Sequence, residues 1–123
     1  MLQHVGLVAV GGAIGATLRY LLGVWFSTDS FPYSTLSVNL IGSFLLGVLT
    51  VAASHNFVST NVALLLGTGI LGAFTTMSTF SVETIQMFDQ GHTVSAFLYV
   101  GLTMLFCPLL ALLGWVFGES YWP

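Results

Sequence analysis

The sequence predicts an all-α membrane protein with four transmembrane helices, the third of them broken near its middle. Three observations predict it. Of 123 residues, 56% are hydrophobic and only 4% charged, with a mean hydropathy of +0.99, whereas about a quarter of a soluble domain is charged. Punctuation by Pro, Gly, Asp, Asn and His divides the chain into four apolar stretches, each long enough for the roughly 20 residues a spanning helix needs. The third stretch carries an unusual density of hydroxyl side chains at what would be the middle of the bilayer.

The four stretches form a single domain over 1–123, with helices at about 4–26, 33–53, 61–88 and 93–117. The connections between them, "STDSFP", "SHNFVS" and "DQGH", are short and polar. The first stretch lacks a basic leader, is too long for the apolar part of a signal peptide and contains Arg19, so it reads as a retained helix. Its "GGAIGA" places Gly11 and Gly15 at the spacing that lets two helix backbones approach. That approach could join two subunits or two helices of one subunit.

The second stretch contains "NLIGSFLLG". Asn39 and Ser43, four residues apart, share a helix face, and an amide that can donate two hydrogen bonds cannot be left unpaired in lipid. Asn39 is therefore either a packing link between helices or a donor lining a polar path. The third stretch opens "NVALLLGTGILGAF" and continues "TTMSTFSVET". At about 28 residues and 1.5 Å per residue it exceeds what the hydrocarbon core requires, which fits a broken helix. The glycines Gly67, Gly69 and Gly72 ease unwinding, which is expected from Gly72 to Thr75, and the hydroxyls of Thr75, Thr76, Ser78 and Thr79 can satisfy the backbone groups a break sets free. Such breaks expose carbonyls that suit a cation and amides that suit an anion. The fourth stretch offers Thr103, Cys107 and a helix-bending Pro108.

Charge narrows the function classes. The full set is Arg19, Asp29, Glu83, Asp89 and Glu119, with His4, His55 and His92. No basic patch exists for nucleic acid. Arg19 and Glu83, both within apolar stretches, could pair with each other or reach an aqueous vestibule, where a lone cation attracts anions; Arg19 could equally snorkel in a structural role. No connection holds a Lys or Arg, so the rule that sets membrane orientation gives neither face an advantage. Insertion both ways up would allow an antiparallel, dual-topology dimer, the simplest closed assembly.

Enzyme chemistry is not indicated. The histidines fall near the terminus and in the loops, no HExxH, phosphate-loop or dinucleotide pattern occurs, and the four acids are too scattered for a proton relay. Cys107 has no cysteine partner. A small multidrug-type exporter shares the four-helix plan, but such proteins usually need a carboxylate in the first helix, where this chain has Arg19. A non-transporting assembly subunit is the other alternative.

Three stretches, "GGAIGATLRYLL" (11–22), "STLSVNLIGSFLLG" (34–47) and "GTGILGAFTTMSTFSVE" (67–83), resemble the Fluc/CrcB family of fluoride channels, whose four-helix plan matches essentially the whole chain. The resemblance implies a multi-pass protein of the cell (inner) membrane, forming an antiparallel dimer with two pathways for passive fluoride efflux that protects against fluoride toxicity. It also implies a structural sodium ion at the dimer centre, held by backbone carbonyls that map to Gly72 and Thr75. Asn39 would line the fluoride pathway with Ser43 on its face, followed by Ser78, Thr79 and Phe80, and by Tyr99 on the fourth helix. Hydroxyl and amide donors would replace the water of a small, strongly hydrated anion, and a phenylalanine edge would face it without trapping it. The family typically reads TTFSTF where this chain has TTMSTF. Met77 thus occupies a pathway position without a ring's oriented quadrupole, and either a tolerant homodimer or a heterodimer would follow. The absence of orienting charge favours the homodimer.

Overall fold

A computed structural model describes residues 1–122, and among these the chain is helical with no strand. Helix α1 spans Leu2–Trp25 and α2 spans Tyr33–Ser54. The third span starts as α3 (Thr60–Ala63), widens into a π-helical stretch, Leu64–Leu71, and returns to one α-turn, α4 (Gly72–Phe74). After two extended residues it resumes as α5, Met77–Asp89. Helix α6, Thr93–Tyr121, runs without interruption through Pro108. Taken with its break as one unit, Thr60–Asp89 makes the third of four segments long and apolar enough to cross a bilayer.

The ends of these elements have local causes. Ser59 caps α3 by accepting the Val62 N–H at 3.2 Å, satisfying one of the donors a helix start leaves free. Two left-handed residues, Asn56 (φ 59°) and Gly91 (φ 81°), turn the chain after α2 and before α6, and glycine and asparagine are the residues that visit this region most readily.

Two helix pairings organise the bundle. Helix α2 lies along α6, and α1 lies along the π-helical stretch and α4. In the second pairing the backbones nearly touch: a Cβ added to Gly69 would sit 2.9 Å from the Cα of Gly11. Gly15 faces the Ile70 carbonyl in the same way. The GxxxG pair of α1 therefore packs inside its own subunit. The α2–α6 contact repeats the device, with Gly47 against the Ala111 carbonyl and Gly114 against that of Phe44.

This packing corrects the expected position and cause of the break. Gly72 is helical, with φ −63° and ψ −36°, and unwinding begins only at Thr75. Gly67 and Gly69 are buried, and the work they do is to remove side-chain bulk: Gly69 lets α1 close in, while Gly67 makes room for Leu46 and Leu49 of α2. The break itself is made by polar competition for the backbone, described below.

Much apolar surface stays uncovered within one chain. No more than 33% of the most apolar window of any spanning segment is buried, and Leu105, Phe97 and Ile85 all face outward. Two small clusters of buried residues form among the described residues, with Val51 and Ala52 of α2 buried apart from them. Phe80, Met87, Ala96 and Tyr99 pack at one end, and Val38, Leu71 and Phe74 pack beside the break.

Candidate functional site: a braced helix break

Thr75 (φ −83°, ψ 154°) and Thr76 (φ −153°, ψ 122°) are extended, which interrupts the helical ladder and should leave backbone groups bare in a bilayer. Asn39 of α2 removes most of that cost. Its Oδ1 accepts the Thr76 N–H at 2.8 Å and its Nδ2 donates to the Thr76 carbonyl at 3.1 Å. One amide thus satisfies both main-chain groups of one residue, while the second Nδ2 hydrogen stays available. Asn39 is buried, at 8% exposure. The two alternatives for this residue are therefore not exclusive, because it links helices and retains a donor.

The hydroxyls divide into two groups. Ser43 donates to the Asn39 carbonyl at 2.6 Å and Thr75 to the Leu71 carbonyl at 3.0 Å, the back-bonding by which Ser and Thr sit inside helices. Their protons are already used. Thr76, Ser78 and Thr79 instead form a cluster: Thr76 Oγ1 accepts the Thr79 N–H at 3.2 Å, capping α5, and lies 3.2 Å from both the Ser78 and the Thr79 hydroxyls. The start of a thirteen-residue helix therefore sits at membrane depth with its positive dipole end and several hydroxyls together, an arrangement that favours an anion.

Two cavities meet at Thr76. The larger, about 660 Å³, is lined by Arg19, Thr35, Thr76, Thr79 and Glu83 among others. The smaller, about 460 Å³, is lined by Asn39, Ser43, Thr75, Met77, Phe80 and Thr103 with their neighbours. Arg19 and Glu83 share the larger cavity, but among the described residues they form no ion pair with each other. Arg19 Nε donates to the Ala73 carbonyl at 3.1 Å, at the end of α4 where carbonyls lack helical partners. The carboxylate of Glu83 accepts from Thr35 at 2.7 Å on one oxygen and from Tyr99 at 2.8 Å on the other. Tyr99 is fully buried, with its ring 5.0 Å from that of Phe80.

The structure thus brings Asn39, Ser43, Met77 and Phe80 to one cavity and Arg19, Thr79 and Glu83 to the other. Ser78 stays exposed at the start of α5, and Tyr99 reaches the site through Glu83. Sequence reasoning overlooked Thr35 and the bracing role of Thr76. Thr35 was detectable, since Thr35, Asn39 and Ser43 recur every four residues and so form one polar stripe on α2.

The carbonyls of Gly72 and Thr75 suit a hard cation. The N–H that a continuous helix would direct to Gly72, that of Thr76, is taken by Asn39. The Thr75 carbonyl, outside either helix, accepts no hydrogen bond among the described residues. Both are neutral oxygen donors at a break, the type of ligand that unwound membrane helices offer to sodium. Two oxygens do not complete a coordination shell, so a second copy would have to supply the rest. Among the described residues no group of three or more His, Cys, Asp or Glu could hold a metal.

Fold and site together define a small polytopic helical membrane protein built around a polar break at mid-bilayer. The chain belongs to the CrcB family: the family model described as "CrcB-like protein, Camphor Resistance (CrcB)" matches residues 6–115. Among its relatives is the "Fluoride-specific ion channel FluC" of Idiomarina loihiensis, 46% identical over 110 residues, which cover 87% of this chain and 85% of that protein. The protein of the same description from Oceanobacillus iheyensis is 48% identical over 101 residues, or 80% of this chain and 78% of its own. That of Shewanella loihica is 44% identical over 110 residues, covering 87% and 89%.

Proposed function

We propose that this chain is a fluoride-selective channel of the cell membrane that lets fluoride leave the cytoplasm down its gradient. It is not an enzyme. The observation that carries the reading is the braced break, which holds unwound backbone, a helix N-terminus, hydroxyls and a spare amide N–H together at membrane depth, in a chain whose relatives are described as fluoride-specific channels.

The residues divide the task. Arg19 lines the larger cavity, where its charge offsets those of Asp29 and Glu83 on the same walls and so eases the approach of an anion. Thr79 and Ser78, at the start of α5, offer donors to a dehydrating fluoride, and the free hydrogen of Asn39 offers another. Phe80 presents an aromatic edge, and Met77 takes the place of a second one. Donors that replace water one at a time, without any of them binding tightly, allow an ion both to enter and to leave. Ser43, whose proton is committed to the Asn39 carbonyl, shapes this path by holding α2 and does not donate into it. Glu83, with Thr35 and Tyr99 as its two donors, fixes the middle of α5 against α2 and α6.

The working unit in this reading is an antiparallel homodimer of dual topology. Its support is the absence of Lys and Arg from every connection and the uncovered apolar surface of one chain. A sodium ion at its centre would be held by the carbonyls of Gly72 and Thr75 from both copies, and would neutralise the dipoles of four carbonyls that otherwise face one another.

Purified protein in liposomes loaded with fluoride tests the reading. A channel gives rapid efflux without a proton gradient and with little chloride passing. An exporter needs a counter-ion, and an assembly subunit gives no flux at all. Single-molecule crosslinking of outward-facing tags distinguishes antiparallel from parallel pairs.

A further inference from the structure

The cavity beside the break gathers side chains whose sulfur chemistry anion passage does not use. Met77, Met104 and Cys107 all line it, which puts two thioethers and a thiol around one space. Met104 and Cys107 are three residues apart on α6 and so share a face. Pro108, on the same wall, has no N–H to offer the Met104 carbonyl. The buried hydroxyl of Thr103 is a separate observation. Thr103 is only 4% exposed, yet its Oγ1 has no hydrogen-bond partner. Four residues before Cys107, it shares that residue's helix face and lines the same cavity, so the wall beside the thiol carries an uncommitted hydroxyl.

We infer that this cavity is a soft-metal site, in which the Cys107 thiolate and the thioethers of Met77 and Met104 hold a monovalent ion such as copper(I) or silver(I), and that occupancy blocks the fluoride path. Thiolate and thioether sulfur select such ions. On binding, the S–H bond of Cys107 breaks, its proton passes to water, and an S–metal bond forms with no change of oxidation state. A thiolate and a monocation together are neutral, which suits a membrane interior where net charge is costly. A divalent ion would leave the site charged and would lack the His or carboxylate ligands it prefers. That the site blocks flux rests on the channel reading; that it binds metal does not.

The test titrates purified full-length protein with silver nitrate in chloride-free buffer, following heat and released protons, and repeats the fluoride efflux assay with and without silver. The expected result is one silver ion and one proton per chain, with efflux falling to the level of protein-free liposomes and recovering when dithiothreitol removes the metal. Cys107→Ser should weaken binding by about 100-fold, and Met104→Leu, which conserves volume, by about tenfold, the upper and lower ends of the range seen for outer-shell partners of metal sites. Each variant is judged by its efflux ratio with and without silver and by its elution as the wild-type assembly. If Met104→Leu and Met77→Leu both bind silver as the wild type does, the metal is only capping a thiol and the site is overturned. Silver binding in a protein that never passes fluoride would overturn the channel reading and leave the site standing; free efflux with no silver uptake would do the reverse.

Discussion

The side-chain amide of Asn39 holds the backbone of Thr76 from both sides, accepting its N–H and donating to its carbonyl. An asparagine on one helix thereby does for a neighbouring segment what a paired strand would do. The bond pair explains why the chain can leave helical geometry at Thr75 and Thr76 without water to satisfy it.

Replacing Asn39 with Ala should therefore be costly twice over. Two buried backbone groups lose their partners, at about 1–3 kcal/mol each, and the pathway loses its spare donor. The expected outcome is a markedly lower unfolding temperature in detergent together with loss of fluoride efflux. Asn39→Asp keeps the acceptor for the Thr76 N–H but removes the donor, so it should unfold between the two and still fail to conduct. Normal efflux from either variant would refute the role given to this residue.

The glycines of α1 and the third span give a paired prediction. A methyl group at Gly69 would meet the Gly11 Cα at 2.9 Å, whereas one at Gly12 would meet nothing within 4 Å. Gly69→Ala should destabilise by about 1–3 kcal/mol through overpacking of rigid backbone. Gly12→Ala should be neutral or stabilise by up to about 1 kcal/mol, because alanine is the better helix former. Thermal unfolding of both variants checks the contrast, and equal midpoints would show that α1 does not approach the π-helical stretch this closely.

These two sites also show how far the sequence could be read. The four spans were legible because hydropathy and punctuation are properties of the chain alone, and long apolar runs leave few alternatives to helix. The break was legible in kind, from hydroxyls crowded into a few residues, but its position was not. Glycines mark both unwinding and close packing, and only the neighbouring helices, α2 beside Gly67 and α1 beside Gly69, show that these two serve the second purpose. Similarly, Ser43 and Thr79 look alike as donors in sequence. Their difference depends on whether a helical carbonyl four residues back captures the proton, as it does for Ser43, or leaves it uncommitted, as at Thr79, whose oxygen accepts from the Thr76 hydroxyl.

Tyr99 and Thr35 each supply one donor to Glu83, so Tyr99→Phe removes one of two hydrogen bonds while keeping the ring against Phe80. The loss should amount to about 1.5–3 kcal/mol for a bond to a charged acceptor, seen as a lower unfolding midpoint. If the two donors act on Glu83 as one network, Thr35→Val in the Tyr99→Phe background should cost more than it does alone, because the carboxylate then has no partner. Strict additivity across the four proteins would mean that the two bonds are independent and form no network at Glu83; an unchanged midpoint in both single variants would mean that Glu83 does not tie α5 to its neighbours.

Arg19 permits a separation of electrostatics from structure. Its Nε bond to the Ala73 carbonyl steadies the end of α4, and its charge lies in the larger cavity, where it forms an ion pair with no carboxylate among the described residues. Arg19→Gln offers an amide N–H as a substitute donor but carries no charge, so the fold should change little while the attraction of anions to the cavity is lost. That attraction is screened by salt over a Debye length of about 10 Å at 0.1 M and about 30 Å at 0.01 M. Efflux by Arg19→Gln should therefore begin well below that of the wild type at low salt, because Asp29 and Glu83 in the same cavity are then unopposed, and should rise towards it as ionic strength screens their repulsion. Arg19→Lys should behave as the wild type at every salt concentration. Efflux by Arg19→Gln equal to the wild type's at low salt would assign Arg19 to the structural role alone, and would leave the helix N-terminus at α5 as the main source of positive potential along the path.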